Sequence, residues 1–142
     1  MSTIIGDTKN ASNRASVKLV CIANNKILLI RGKGKEVFNL VGWWVDYGEA
    51  IPQTIAREFL EETGHVLWNK ELKLLHVEIK NFPKWGQFDG VVNIFYLLSF
   101  DNTFDIILEE WVYEEYKWCS KEELQNLPVS DHTNKELLLS LL

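Results

Sequence analysis

The sequence has little cysteine, and no long apolar run, and these absences exclude several classes of protein. Cys21 and Cys119 are the only two cysteines among 142 residues, and both lie in apolar, strand-like segments outside any CxxC or CxxH pattern. A disulfide framework and a zinc site are therefore not expected, and both thiols are predicted to be free and buried. The longest apolar runs are far too short to span a bilayer, so we expect a soluble cytoplasmic protein.

Basic residues are also in the minority. The chain has fifteen Lys and Arg and twenty Asp and Glu, which gives a net charge of -5. This charge argues against extensive electrostatic binding to nucleic acid or to an anionic membrane. A ligand that carries phosphate would therefore need help from cations. The length fits a single domain over residues 1–142, with residues 1–15 predicted to form a loose arm.

The alternation of apolar and polar residues predicts strands on both sides of one long helix. Strands are predicted at residues 17–23, 27–30, 37–45, 72–79, 91–100 and 111–119, and helices at residues 49–63, from Ser120 and after Pro128. Gly64 is predicted to cap the first helix, and Asp131 or Thr133 lies near the predicted cap of the last one. The order favours a mixed sheet covered by helices over a regular βαβ succession.

Two short segments between predicted strands have the composition of hairpin connections. Asn24-Asn25-Lys26 predicts a tight hairpin turn, and "KNFPKWGQFDG" predicts a long hairpin loop rich in aromatic residues.

The first helix carries three acids on one face. Glu58, Glu61 and Glu62 fall within an arc of roughly 100°. Apolar residues are predicted to fill the adjoining arc; these are Ile55, Ala56, Phe59 and Leu60. An ordinary solvated face with an Arg57–Glu61 ion pair is the simpler interpretation. Like charges four residues apart repel unless a cation lies between them, and Mg²⁺ or Mn²⁺ prefers such carboxylate oxygens.

The spacing of these residues resembles the Nudix box, G-x5-E-x7-R-E-U-x-E-E-x-G-U, where U is a bulky apolar residue. The matching positions, all in register, are Glu49, Arg57, Glu58, Phe59, Glu61, Glu62 and Gly64. The flanking strands and the later "EEYKWCSKEEL" are also similar to the family's layout, so the resemblance covers most of the chain. It implies an α+β fold in which a mixed sheet lies between helices, with a catalytic loop-helix-loop motif.

Two positions depart from the box. Trp43 stands at its opening glycine and His65 at its closing apolar residue, where Val66 is predicted to supply the missing hydrophobic contact. A positive φ at Trp43 would cost about 1 to 2 kcal/mol, whereas an extended conformation would cost nothing special. In the family the glycine just before the box often offers its carbonyl to the metal, and Gly42 holds that position.

The resemblance implies hydrolysis of a nucleoside diphosphate linked to another moiety, by water attack on phosphorus with Mg²⁺ or Mn²⁺ bound. The implied metal ligands are Gly42, Glu58, Glu61, Glu62 and Glu115. Glu58 is a further ligand or the base, Arg57 orients a carboxylate, and Glu49 braces the loop and helix. Glu115 is chosen as the acid from outside the box, ahead of Glu109, Glu110 and Glu114, although a solvated acidic loop is an equal alternative.

The substrate's identity stays open, and the candidate binding residues are Arg31, Trp43, Trp44 and Trp85. Simpler roles are a plain basic turn for Arg31 and an aromatic cluster that pins the loop for Trp85. Trp43 and Trp44 point to opposite faces of an extended strand, so one should pack in the core and the other should face the cleft.

The expected partner is a small nucleotide derivative, with no nucleic acid polymer and no membrane, and a homodimer is left open. A nucleotide-sensing module without turnover is the alternative function, against which the intact carboxylates argue. An isomerase of the isoprenoid diphosphate type would need an acid and a cysteine that the chain does not offer in suitable places.

Overall fold

The computed structural model describes residues 11–67, 70–85 and 88–142, without the side chains of residues 82–85. In chain order the elements are β1 (Asn13–Ala23), β2 (Lys26–Gly32), β3 (Phe38–Asn39), β4 (Val41–Trp44), α1 (Ile51–Thr63), β5 (Lys73–Trp85), β6 (Phe88–Ser99), β7 (Tyr113–Cys119), α2 (Lys121–Asn126), a 3₁₀ turn (Asp131–Thr133) and α3 (Lys135–Ser140). Within the described ranges, no helix is long and apolar enough to cross a membrane.

The described strands form one mixed sheet around β1. The order is β3-β2-β1-β6-β5, while β4 pairs with the first half of β1 and β7 pairs with β2. The β1–β6 pair is parallel, and the other pairs are antiparallel. The predicted α+β class is confirmed, and the mixed sheet has the predicted helical layers.

Each face of the sheet has its own core, because side chains alternate along β1. Val17 and Leu19 point towards α1 and pack in a cluster with Phe59. Val20 points to the other face, into a cluster that includes Leu124 of α2 and Leu138 of α3. The sheet therefore lies between α1 on one side and the two short helices on the other.

Local signals in the sequence located several turns and caps correctly. Asn24 and Asn25 both have positive φ, 50° and 59°, as a tight hairpin with a primed turn requires. Gly64 has φ 77° and its N–H donates to the Leu60 carbonyl, which ends α1 at the predicted residue. Ser120 and Glu123 form the predicted capping box at the start of α2.

One boundary prediction was wrong. The segment predicted to be a long loop is largely strand, since β5 continues to Trp85 and β6 starts at Phe88. The cap of the last helix is Asn134, whose side chain accepts from the Leu137 N–H, so Thr133 lies next to the cap, at the end of the 3₁₀ turn Asp131–Thr133.

The predictions of the N-terminal arm and of the start of α1 were also partly wrong. Residues 1–10 of the arm lie outside the described residues, while Asn13–Ala15 belong to β1, where they pair with β6. Helix α1 begins at Ile51, two residues later than predicted, with Ala50 as its cap.

The two cysteines are buried and free, as predicted. Neither Cys21 nor Cys119 has solvent-exposed surface. Burial raises the pKa of the Cys21 thiol to about 12 and that of Cys119 to about 11. Both therefore behave as small apolar core residues at neutral pH.

Candidate active site

Helix α1 brings one acid of the predicted site into its buried face. Ile55, Phe59 and Glu62 are buried, at the i, i+4, i+7 spacing of one helical stripe. The predicted apolar arc was partly wrong, because Ala56 and Leu60 are exposed. Glu62 therefore does not border the buried stripe but belongs to it, with 7% of its surface exposed.

Glu62 is held by one hydrogen bond and keeps one oxygen without a partner. The Tyr113 hydroxyl donates to Glu62 Oε1 at 2.7 Å, while Oε2 is buried and makes no hydrogen bond to any described residue. Burial raises the pKa of Glu62 to about 7, against the hydrogen bond from Tyr113. The negative charges of Glu58 and Glu109 raise this pKa further. A buried carboxylate in this state is stabilised by any cation that reaches it.

Arg57 links the loop before α1 to the helix acids. Its Nη2 lies 3.0 Å from Glu49 Oε2, and its Nη1 lies 2.6 Å from Glu58 Oε1 and 3.6 Å from Glu61 Oε1. These bonds raise the pKa of Arg57 and lower that of Glu49. The Asp46 backbone N–H also donates to Glu49 Oε1 at 3.2 Å. The guanidinium thus bridges two carboxylates with one nitrogen each, instead of forming a bidentate pair with one.

The two adjacent tryptophans lie on opposite faces of β4. Trp43 is buried in the cluster on the α1 side. Its indole N–H helps to lower the pKa of Glu62, although it makes no hydrogen bond of standard geometry to any described residue. Trp44 is half-buried on the other face, where the Arg14 guanidinium lies 4.2 Å from its ring centroid. Trp43 is therefore the tryptophan beside the carboxylates.

The departure at Trp43 causes no backbone strain. Trp43 does not have a positive φ, because it lies in the extended strand β4. Its neighbour Gly42 is the position that demands glycine, because a Cβ there would lie 2.6 Å from the Val17 carbonyl oxygen. Close approach of β1 to β4 thus depends on Gly42.

The second departure from the box is compensated by a residue far along the chain. The His65 ring packs against Phe104 with 4.4 Å between centroids, and its Nε2 lies 2.6 Å from the Asp105 carbonyl oxygen. Val66, which was predicted to supply this contact, is 59% exposed, so that prediction was wrong. An aromatic residue at position 65 reaches Phe104, whereas Val66 points into solvent.

The predicted residues outside the box are not all near α1. Arg31 on β2 pairs with Glu114 at 2.9 Å and Glu115 at 3.0 Å, so its guanidinium is bound to two carboxylates of β7. Glu109, by contrast, is an acid outside the box whose negative charge adds to the burial that raises the pKa of Glu62. Trp85 belongs to β5, but its side chain lies outside the described residues.

The donor set of α1 suits a hard divalent cation. In the part of the chain that the structure describes, no three His, Cys, Asp or Glu side chains converge as a ready-made metal cluster. Glu62 Oε2 is nevertheless a buried acceptor without a partner, and Glu58 and Glu61 lie on the same helix within one turn of it. Such carboxylate oxygens are the ligands that Mg²⁺ and Mn²⁺ prefer.

A family model described as NUDIX domain matches residues 12–141, and the chain therefore belongs to the Nudix family. The resemblance drawn from the spacing of the acids is confirmed. Members of this family are pyrophosphohydrolases that act on nucleoside diphosphate derivatives in general, and they generally use divalent metal cations. A search of curated proteins gave no significant match.

Solved structures show the same fold at low sequence identity. The chain is similar to a MutT NUDIX hydrolase from Burkholderia pseudomallei, with TM-score 0.73, 23% identity and coverage of 92% of this chain and 98% of that one. It is also similar to the E. coli dihydroneopterin triphosphate pyrophosphohydrolase, with TM-score 0.75, 16% identity and coverage of 93% and 97%. The NUDIX domain of Shewanella oneidensis NrtR, complexed with ADP ribose, gives TM-score 0.70, 16% identity and coverage of 98% and 91%.

Proposed function

We propose that this chain cleaves a phosphoanhydride bond in a nucleoside diphosphate derivative, with Mg²⁺ or Mn²⁺ held by Glu58, Glu61 and Glu62 and by the Gly42 carbonyl. The observation that carries the proposal is the buried Glu62, whose Oε2 has no hydrogen-bond partner among the described residues. Leaving such an oxygen unpaired costs about 1 to 3 kcal/mol or more for a charged group, which a bound cation would offset.

The chemistry divides between the cation and the side chains of α1. When bound, a divalent cation neutralises charge on the phosphoryl oxygens and lowers the pKa of water. Glu58 then takes the proton from the attacking water or adds its oxygen to the metal ligands. Arg57 holds Glu58 in place through the 2.6 Å contact and ties it to Glu49 in the preceding loop. Glu49 thereby ties the loop that follows β4, the strand that carries Gly42, to the helix.

Two acids outside the box, Glu109 and Glu115, are candidates for a further place in the site. Glu115 can join the site only by leaving Arg31, to which it is bonded at 3.0 Å. Glu109 lies in the loop before β7 and already acts electrostatically on Glu62. Its carbonyl also accepts the Tyr113 N–H at 3.1 Å, which fixes its backbone one turn before Tyr113, the residue bonded to Glu62. We therefore place Glu109 ahead of Glu115, with Arg31 acting on substrate only if its two carboxylates release it.

The proposed substrate contains a phosphoanhydride, as do the compounds named for two of the three similar structures. One relative is a pyrophosphohydrolase of dihydroneopterin triphosphate and another was solved with ADP ribose. The half-buried Trp44, the buried Trp43 and the side chain of Trp85 remain candidates for contact with the substrate's other moiety.

Product release from a panel of nucleoside diphosphate derivatives, with Mg²⁺ or Mn²⁺, tests the proposal. We expect Glu58→Gln to lower kcat by about 10²-fold or more, and Glu61→Gln to raise the metal concentration required for half-maximal rate. Glu71→Gln, an exposed acid outside the helix, is the matched control and should change neither value. Comparison of Glu109→Gln with Glu115→Gln identifies the additional acid.

Two outcomes would contradict this assignment. Full turnover in both Glu58→Gln and Glu61→Gln would show that the carboxylates do not form the site. No turnover of any substrate, together with a nucleotide-dependent rise in melting temperature, would favour a nucleotide-sensing module.

A further inference from the structure

Trp111, in the turn before β7, combines a strained backbone with high exposure. Its φ is 71°, in the left-handed region, and the three other described non-glycine residues with positive φ are asparagines. A bulky residue in this region is an outlier, and such strain concentrates at functional sites. Trp111 is also 76% exposed, so packing of its ring in the core does not explain the strain. The turn therefore holds a large aromatic ring in solvent at a cost in stability.

Backbone hydrogen bonds on both sides of Trp111 hold the turn in this conformation. The Glu109 carbonyl accepts the N–H groups of Val112 at 3.2 Å and of Tyr113 at 3.1 Å. The Val112 carbonyl accepts the Lys33 N–H at 2.9 Å, which joins the turn to the loop after β2. The surrounding backbone therefore imposes the positive φ on Trp111.

One cation holds the Trp111 ring in place. The Lys33 ammonium lies 4.4 Å from the ring centroid, within the range of about 6 Å for a cation–π contact. A single ammonium covers one face of an indole. Since the residue stays largely exposed despite this contact, its other face is open to a planar ligand. Trp111 is thus an oriented aromatic surface with one free face.

The turn that carries Trp111 adjoins the acids of α1. Two residues after it, the Tyr113 hydroxyl donates to Glu62 Oε1 at 2.7 Å. Two residues before it, Glu109 adds its negative charge to the burial that raises the pKa of Glu62. Two residues of chain span at most about 7 Å, so the Trp111 backbone is close to both. The indole therefore lies beside the candidate metal site.

The surroundings of Trp111 favour a nucleobase over a protein partner. Stacking on an aromatic side chain is favourable for every base, because each base has a π-face. The cores of protein interfaces, in contrast, are depleted of charged residues. Here Glu110 precedes Trp111 directly, and the Lys33 charge lies on the ring itself.

We propose that Trp111 is the surface on which the nucleobase of the substrate stacks, and that Lys33 positions its ring. The proposal deepens the proposed function and rests on it for the place of the phosphates at the α1 acids. Stacking itself can be measured without hydrolysis. Trp111 was not among the candidate residues drawn from the sequence, where residue 111 began a predicted strand.

Binding of two uncleavable ligands in Mg²⁺, measured by calorimetry, separates base contact from phosphate contact. α,β-Methylene-ADP carries adenine and has a P–C–P bridge in place of the anhydride, whereas methylenediphosphonate has the same bridge and no base. Trp111→Gly should weaken binding of α,β-methylene-ADP by about fivefold or more and leave that of methylenediphosphonate unchanged. Trp111→Tyr keeps an aromatic ring and should retain most of the affinity. A merely structural role of Trp111 would not distinguish the two ligands.

Further variants test the positioning role and the fold. Lys33→Met should weaken binding of α,β-methylene-ADP by about two- to fivefold, and Lys33→Arg should restore it, because a cation on the ring is what the role requires. Tyr47→Gly, at a fully exposed aromatic residue in the loop before α1, is the matched control and should change neither affinity. Glycine accepts the positive φ at position 111, so circular dichroism should show an intact fold in Trp111→Gly.

Unchanged affinity for α,β-methylene-ADP in Trp111→Gly, an equal loss for both ligands, or no binding of α,β-methylene-ADP to the wild type would each overturn the proposal. An equal loss for both ligands in Lys33→Met would show that Lys33 binds phosphate and would overturn its positioning role. Dissociation of a wild-type dimer by Trp111→Gly, with unchanged nucleotide affinity, would identify Trp111 as a protein contact instead. Trp111-dependent binding of α,β-methylene-ADP without hydrolysis of any nucleotide in the panel would support the stacking surface and count against the proposed reaction.

Discussion

The Tyr113 hydroxyl donates a 2.7 Å hydrogen bond to Glu62 Oε1, and this bond joins the start of β7 to the buried face of α1. The two residues are 51 positions apart in the chain. The bond stabilises the ionised form of a carboxylate that burial would otherwise keep protonated.

Removing this hydroxyl should raise the pKa of Glu62 further. In Tyr113→Phe we expect the acidic limb of the pH–rate profile to move to higher pH, because less Glu62 is ionised at neutral pH. The rate at high pH should fall much less than the rate at pH 6. Tyr116→Phe is the matched control, since its hydroxyl contacts Asp105 and not Glu62. A parallel loss at every pH would indicate a packing defect instead.

The raised pKa of Glu62 also makes the stability of the metal-free protein dependent on pH. Its pKa is about 7 in the folded chain, against a reference value of 4.5. The folded state therefore binds the proton more tightly, and this contribution to the free energy of unfolding is present below pH 4.5 and is lost as pH rises through about 7. Its full size is about 3 kcal/mol.

Urea unfolding of the wild type and Glu62→Gln in EDTA measures this contribution. The difference between the two proteins isolates Glu62 from acids with lowered pKa, such as Glu49 and Glu114, whose contributions have the opposite sign. The wild type should lose stability relative to the variant between pH 4.5 and 7. A difference that does not vary over this range would show that Glu62 ionises normally.

Gly42→Ala should destabilise the protein by about 1 to 3 kcal/mol, since the new methyl group would lie 2.6 Å from the Val17 carbonyl oxygen. The clash is with backbone, so β1 and β4 must separate. Gly32→Ala is the control, because its Cβ would meet the flexible Lys35 side chain at 3.2 Å. Urea midpoints of the two variants check the prediction, and equal values would contradict it.

Arg57→Lys should lower kcat/KM by about 10-fold or more while the fold remains intact. A lysine has one ammonium group and cannot place two nitrogens at Glu49 and Glu58, which the guanidinium contacts at 3.0 and 2.6 Å. Steady-state kinetics with circular dichroism tests this. Arg14→Lys, on the opposite face of the sheet near Trp44, is a control that preserves the Arg57 contacts.

Contacts among the candidate site residues could be predicted from the sequence where the residues are close together in the chain. Glu49, Arg57 and Glu58 lie within ten positions, so fixed spacing was enough to place them together. Gly64 could be predicted as a helix cap for the same reason.

Features that depend on distant segments could not be predicted. Glu62 accepts its hydrogen bond from Tyr113, 51 positions away, and His65, which replaces an apolar residue of the box, packs against Phe104. Likewise, Asn93 and Glu78 are unremarkable in sequence, because only the strand register places them side by side. Asn93 Oδ1 and Glu78 Oε1, which make no hydrogen bond to any described residue, could be recognised as neighbours only from the pairing of β5 with β6.

The burial of both native thiols has a practical value for following motion in solution. Since Cys21 and Cys119 have no exposed surface, reagents such as maleimides should leave them unmodified in the folded protein. A single cysteine introduced at the fully exposed Tyr47, in the loop between β4 and α1, would then carry a fluorophore or spin label at one defined place. Nucleotide-dependent movement of the loop that leads into the carboxylate helix could thus be recorded without first removing any natural cysteine.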